Sequence, residues 1–280
     1  MNHYPTVLTI AGSDSCGGAG IQADIKTISS LGAYACSAIT AITAQNTLGV
    51  RSIQGISPSV LKDQIEAVFD DLTIDAVKTG MLYNKVSIEI ISECLARFRP
   101  RFFVLDPVMI STGGSKLITD DAIEAMQRLL FPLATVVTPN IAEAEVFTGV
   151  KISSHGDMQK AAEVMLQKGC HAVLMKGGHL PGNESVDILF EKGKNGQGIR
   201  SPFIETKNTH GTGCTLSAAF ATYLALGEEL REAFVLSKDY IIHALYTGKD
   251  AENGKGHGGV NHFFDPQKLK TQPRPNRTNP

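Results

Sequence analysis

The chain has 280 residues, 42% apolar and 19% charged, with 26 basic against 28 acidic side chains, so it can bury a core but carries no broad basic field. That balance excludes charge-driven binding to nucleic acid or to a membrane surface and favours a small-molecule partner. Five cysteines, Cys16, Cys36, Cys94, Cys170 and Cys214, form no C-x-x-C pair, which argues against a disulfide framework and a four-thiolate zinc site and points to a reducing, cytoplasmic setting.

Short β-branched runs alternate with longer segments whose apolar residues recur at three and four. In chain order the pattern predicts a strand over 7–11, a helix over 21–31 closed by Gly32, and a strand over 36–43. A helix over 57–72 follows, with Ser57 as N-cap and Pro58 in its first position. Next come a strand over 76–79, a helix over 85–98 stopped by Pro100, a strand over 102–105, and a helix over 120–130 stopped by Pro132. A strand over 135–138 leads into a short helix, then a helix over 157–168 closed by Gly169 and a strand over 172–175. Residues 186–204, with three glycines, read as an antiparallel hairpin before the last helices, 214–226 and 230–247.

The apolar run 6–11 is too brief for a membrane span, and the uncharged stretch 27–50 holds too many hydroxyl and amide groups, so neither a signal peptide nor a membrane helix is expected. Near-uniformly apolar strands separated by helices imply a mostly parallel sheet with helices on both faces. No linker or repeat divides the chain. The expectation is one domain over 1–269 and a disordered tail over 270–280, which has three prolines and no apolar anchor.

In such a sheet, ligands collect where strands run into helix N-termini. The loop from Gly12 to Gly20 holds four glycines between a strand and the helix carrying Asp24, and so reads as a binding loop. Asn208-Thr209-His210-Gly211-Thr212-Gly213-Cys214 opens another helix with consecutive backbone N–H groups, an anion hole suited to a phosphoryl group. The same field is expected to lower the Cys214 thiol. Asn140 and Glu143 at one strand end, and Asp106 at another, supply oxygen ligands suited to Mg²⁺, or else caps of their helices. Lys176, at a third strand end, offers an ammonium to a nucleotide phosphate. Gly254, Gly256 and Gly259 match G-x-G-x-x-G without its strand–helix context, and the Gly177–Gly182 spacing lacks the P-loop lysine.

Taken together, the Gly-Thr-Gly anion hole, Asn140-x-x-Glu143 and Lys176-Gly-Gly-His resemble the ribokinase superfamily. The blocks Ala11 to Asp24, Ala44-Gln-Asn-Thr47, Lys78-Thr-Gly-Met81, Val104 to Met109 and Asn208 to Thr215 are similar to the bacterial hydroxymethylpyrimidine/phosphomethylpyrimidine kinases of thiamine biosynthesis, over about residues 5–265. The resemblance implies a ribokinase-like three-layer α/β/α sandwich. It also implies two ATP-dependent phosphorylations, of 4-amino-5-hydroxymethyl-2-methylpyrimidine and then of its monophosphate, with Mg²⁺. It places Gly12, Asp24, Gln45, Met81 and Val108 against the pyrimidine, with orientation of the first loop as the alternative role for Asp24, and Asn140, Lys176, Thr209, Gly211 and Gly213 against the nucleotide, with Glu143 and Asp106 at the metal. Cys214 stands where most ribokinase-like enzymes carry an aspartate base, and a thiolate there would serve the first phosphorylation more than the second. A homodimer is also implied. The competing expectations are a vitamin B6 kinase on the same scaffold and a cysteine-nucleophile hydrolase using His210 with Cys214. Residues 46–56 and 179–184 are the candidate lids.

Overall fold

The computed structural model describes residues 2–110, 114, 117–178 and 184–273. The elements in order are β1 (Asn2–His3), β2 (Thr6–Asp14), α1 (Gly20–Ser30), β3 (Tyr34–Asn46), β4 (Gly49–Gly55), α2 (Pro58–Asp71), β5 (Ala76–Thr79), α3 (Lys85–Phe98) and β6 (Phe102–Leu105). They continue with α4 (Asp120–Ala125), β7 (Val136–Val137), α5 (Ile141–Thr148), α6 (His155–Gln167), β8 (Ala172–Met175), β9 (Glu184–Glu191), β10 (Gln197–Pro202), α7 (Thr212–Ala225), α8 (Leu230–Gly248) and β11 (Gln272–Pro273).

Strands β2 to β10 form one sheet in the order β10-β9-β8-β7-β6-β5-β2-β3-β4. The central pairings, from β3 through β2, β5, β6 and β7 to β8, are parallel, whereas β4, β9 and β10 run antiparallel at the two edges. Alternation along the strands separates two cores. Leu8, Val77, Phe103 and Val137 face α2 to α6, while Val7, Ala76, Val104 and Val136 face α1, α7 and α8. This is the three-layer sandwich expected.

Local chemistry sets the ends that matter. Ser57 Oγ accepts the Val60 N–H at the start of α2, whose Leu61 and Ile65 are fully buried, each worth about 1.5–3 kcal/mol. Arg99, left-handed at φ 48°, closes α3 before Pro100. The helix expected over 120–130 is α-helical only to Ala125; it widens into a π turn at Met126–Leu130 and tightens to a 3₁₀ turn at Phe131–Leu133, where Pro132 brings no amide hydrogen.

Two boundaries differ from expectation. The first candidate lid is largely a strand: β4 pairs with β3 from Ala41↔Gly55 to Asn46↔Gly49. Its polar, glycine-bounded sequence hides it, because an edge strand needs no continuous apolar face. At the C-terminus, Lys270 donates to Gly32 and β11 pairs with β1, so the chain stays docked to residue 273. Residues 274–280 of the expected tail, and 179–183 of the second candidate lid, lie outside the described residues.

Candidate active site

The carboxyl ends of β2, β5, β6 and β8 bring the predicted loops together. β2 is regular to Ala11, and its register against β3 shifts between Ala11 and Ser13. Gly12 lies at that shift, where a Cβ would press the Met81 sulfur at 3.0 Å. Beyond it, the buried Asp14 carboxylate gathers the loop around itself, accepting the N–H groups of Cys16, Gly18 and Ala19 at 2.8, 3.0 and 2.9 Å.

The anion-hole loop lies directly against this one. Gly211 caps α7 in the left-handed region at φ 81°, and a Cβ there would stand 1.8 Å from the Gly18 carbonyl oxygen. Its neighbour His210 reaches back through Nε2 to Asp14 Oδ2 at 2.8 Å. Thr209 sits in the turn just before, its carbonyl accepting the Thr212 N–H. Gly213 and Cys214 are in the first turn of α7, where amides have no intrahelical acceptor. Glycines of the 254–259 segment pack beside this junction: a Cβ on Gly259 would lie 3.4 Å from the Gly18 Cα, the Gly258 carbonyl accepts the His210 N–H, and a Cβ on Gly256 would meet the Thr47 carbonyl.

The cationic edge converges on the same place. A Cβ built on Gly213 would lie 3.4 Å from Nζ of Lys176. That ammonium bonds Asp106 Oδ1 at 3.0 Å and stands 3.9 Å from Glu143 Oε2. Thr138 and Ser217 also donate to Asp106, at 3.1 and 3.0 Å. Burial alone would raise Asp106, but the Lys176 and Lys78 ammonium groups outweigh it and hold the carboxyl below its usual range. The more distant Glu143 gets less from Lys176, and burial pushes it up to about 7. Asn140 and Glu143 form a reciprocal cap on α5: each backbone N–H donates to the other's side chain.

These positions test the fit of a Mg²⁺ ion. Asp106 is 1% exposed and taken up by the ammonium and two hydroxyls, so it does not fit as a direct ligand. Glu143 fits a cation that keeps most of its waters and takes one carboxylate.

Beside Gly12 lies an apolar nook. Met81 and Val108 meet there in a small cluster with Ala41, Leu117, Ile53 and Tyr83. Gln45, at the end of β3, is tied to the first loop through Ser15 Oγ, which bonds both its backbone N–H and its carbonyl. Asp24 is placed differently from the expectation: it is fully buried, 2.9 Å from the equally buried Lys78, and takes the Thr9 hydroxyl. A lysine inside the apolar strand β5 needs such a counter-ion, and that requirement was the overlooked sequence signal for Lys78. Burial opposes the Lys78 charge, but Asp24, then Cys214 and Asp106, raise it overall.

Cys214 also departs from expectation. Burial pushes its thiol up to about 11, overriding the pull of Lys78 and a backbone hydrogen bond from Gly20. The helix field does not make a thiolate here, and His210 is already engaged by Asp14, so the cysteine–histidine dyad finds no support.

The sequence model of the family described as phosphomethylpyrimidine kinase matches residues 14–261. The chain belongs to the phosphomethylpyrimidine kinase family. It is 49% identical over 257 residues to the hydroxymethylpyrimidine/phosphomethylpyrimidine kinase of Rhizobium meliloti, covering 91% of this chain and 96% of that protein. It is 51% identical to the thiamine biosynthesis bifunctional protein of Geobacter sulfurreducens, spanning 92% of this chain but only 52% of that longer protein. Among solved structures, the phosphomethylpyrimidine kinase of Clostridium difficile superposes with a TM-score of 0.77 at 49% identity, covering 86% of this chain and 99% of that one. The pyridoxal kinase of Staphylococcus aureus in complex with AMP-PCP and pyridoxal superposes with a TM-score of 0.85 at 34% identity, over 93% and 94%. Membership of this family, with the ribokinase-like sandwich, makes the chain a small-molecule kinase.

Proposed function

We propose that the protein phosphorylates 4-amino-5-hydroxymethyl-2-methylpyrimidine with ATP, and then phosphorylates the resulting monophosphate, in thiamine biosynthesis. The observation that carries this reading is the convergence of Gly213 and Lys176, which puts backbone amides and an ammonium around one point beside the Met81–Val108 nook. Phosphoryl transfer asks the protein mainly for alignment and charge stabilisation, and these groups supply both.

In this reading the first-turn amides of α7, with Gly211 and Gly213, hold the transferring phosphoryl group. Lys176 offsets its growing charge while Asp106, Thr138 and Ser217 keep the ammonium in place. Asn140 and Thr209 border the nucleotide. Glu143 is the residue that would hold Mg²⁺ through its waters; the ion would supply charge neutralisation among the nucleotide phosphates. Gln45 presents a donor and an acceptor to the aminopyrimidine edge, with Gly12, Met81 and Val108 forming the walls. Asp24 acts at one remove, fixing Lys78 behind the pocket.

Among the described residues no helix is long and apolar enough to cross a membrane. A homodimer in the cytoplasm completes the proposal, with light scattering on the purified protein as the check on assembly. The deciding experiment measures ADP release with the pyrimidine alcohol, its monophosphate and pyridoxine as acceptors. Turnover of the first two supports the proposal. The likeness to the Staphylococcus aureus pyridoxal kinase supports a second reading, a vitamin B6 kinase, which turnover of pyridoxine alone would establish.

A further inference from the structure

His210 Nε2 stands between two polar groups, 2.8 Å from Asp14 Oδ2 and 3.4 Å from Gln45 Nε2. The Asp14 carboxylate, held below its usual range by the His210 hydrogen bond and the amides of Ala19 and Cys16 despite burial, can only accept. The hydrogen of His210 must then be on Nε2, pointing at Asp14. An Nε2–H cannot also accept from the Gln45 amide, so the two nitrogens face each other as donors. The Thr43 hydroxyl bonds the Ser13 carbonyl at 2.8 Å and stands 3.2 Å from Gln45 Oε1, and the Gln45 NH₂ group is not spent on the histidine. With the proton on the other ring nitrogen, Nε2 would become an acceptor and capture that NH₂.

We propose that Asp14 and His210 form a positioning pair that fixes the histidine tautomer and thereby keeps the Gln45 amide hydrogens available to a ring nitrogen of the pyrimidine. The inference rests on the pyrimidine reading of the acceptor pocket. It makes the seam between the two glycine loops part of substrate recognition: the residue that introduces the anion hole also governs what Gln45 can read. Asp14 and His210 touch neither the nucleotide nor the reacting atoms in this account; they act through Gln45.

The test combines three variants. In Asp14→Asn, the new amide can donate to Nε2 and release the tautomer, so the KM for the pyrimidine is expected to rise about ten-fold, the worth of one hydrogen bond, while the KM for ATP stays within about two-fold. His210→Leu, which removes the ring nitrogens and with them the acceptor that could capture the Gln45 NH₂, is expected to leave the pyrimidine KM within about three-fold of the unaltered protein. His210→Gln, whose side-chain NH₂ can reach Asp14 and has no tautomer to choose, is likewise expected to keep the pyrimidine KM within about three-fold of the unaltered protein. Long-range ¹H–¹⁵N correlation spectra of the ring nitrogens give a readout independent of activity: His210 is Nε2-protonated in the unaltered protein and loses that signature in Asp14→Asn. An unchanged pyrimidine KM in Asp14→Asn, a His210→Leu or His210→Gln as impaired as Asp14→Asn, or a His210 protonated only on Nδ1 overturns the pair. Calorimetric binding of the pyrimidine separates the two levels. If the protein binds it without turnover, the proposed activity fails and the pair is judged by the same ratios in Kd; if it does not bind it, both fail.

Discussion

Lys78 and Asp24 meet at 2.9 Å with no solvent reaching either, one on the central strand β5 and the other on the helix α1, which packs over the neighbouring strands β2 and β3. Removing one partner leaves a buried charge without compensation. Lys78→Met and Asp24→Asn are each expected to cost about 3–5 kcal/mol, whereas Lys78→Met combined with Asp24→Leu recovers most of that loss. Urea denaturation of the three variants decides; single variants within 1 kcal/mol of the unaltered protein would falsify the pair as a structural unit (an order-of-magnitude threshold).

In the proposed reading Lys176, whose Nζ lies 3.4 Å from a Cβ built on Gly213, acts on the transferring phosphoryl group. Lys176→Met should lower kcat about 10²-fold or more for both phosphorylations and leave the pyrimidine KM nearly unchanged, because the ammonium acts on developing charge and not on acceptor binding. Steady-state kinetics with each acceptor check this, and a change confined to KM would remove Lys176 from the transfer step.

In the proposed reaction Cys214 is a neutral thiol, because burial pushes it up to about 11. Reaching a thiolate near neutral pH from a value of about 11 costs roughly 5 kcal/mol, which removes the advantage of a base. Cys214→Ser is therefore expected to slow both phosphorylations alike, by less than about ten-fold, the worth of one modest interaction in place of a base. Iodoacetamide should modify it slowly at neutral pH. Single-turnover rates of the two steps are the check: a loss confined to the alcohol acceptor reinstates the thiol as the proton acceptor.

His262 supplies a pH dependence. Its ring is buried, bonded to the Thr215 hydroxyl at 3.0 Å, and burial lowers it to about 4. The unfolded chain takes up the proton first as pH falls, so stability from the neutral ring is complete above about 6.5, declines on acidification, and is spent near 4. The effect is about 3 kcal/mol at most. Urea midpoints measured between pH 7 and pH 5 should fall more steeply in the unaltered protein than in His262→Gln; equal slopes would remove the histidine as the cause.

Much of this architecture was readable from pattern. The apolar strands and the helices with Ser57, Pro58, Gly32 and Gly169 at their ends carry local signals strong enough to survive tertiary context. β4 was not readable, because Gly-Val-Arg-Ser-Ile-Gln-Gly lies on an edge with little to bury. At the site, glycine spacing and strand ends announced the anion hole and Lys176. A helix terminus is a local cue that points to a lowered Cys214 thiol, whereas the burial that raises it is conferred by everything packed around it. Asp14 and His210 are 196 positions apart, so neither residue alone reveals the other.

The contact of Gly211 with the Gly18 carbonyl is made of main chain only. With no room for a Cβ on Gly211, that contact fixes the spacing of the two loops independently of what lines the apolar nook. In the proposed reading, exchanges at the wall positions Gln45, Met81 and Val108 would then change the acceptor while this backbone junction stays as it is.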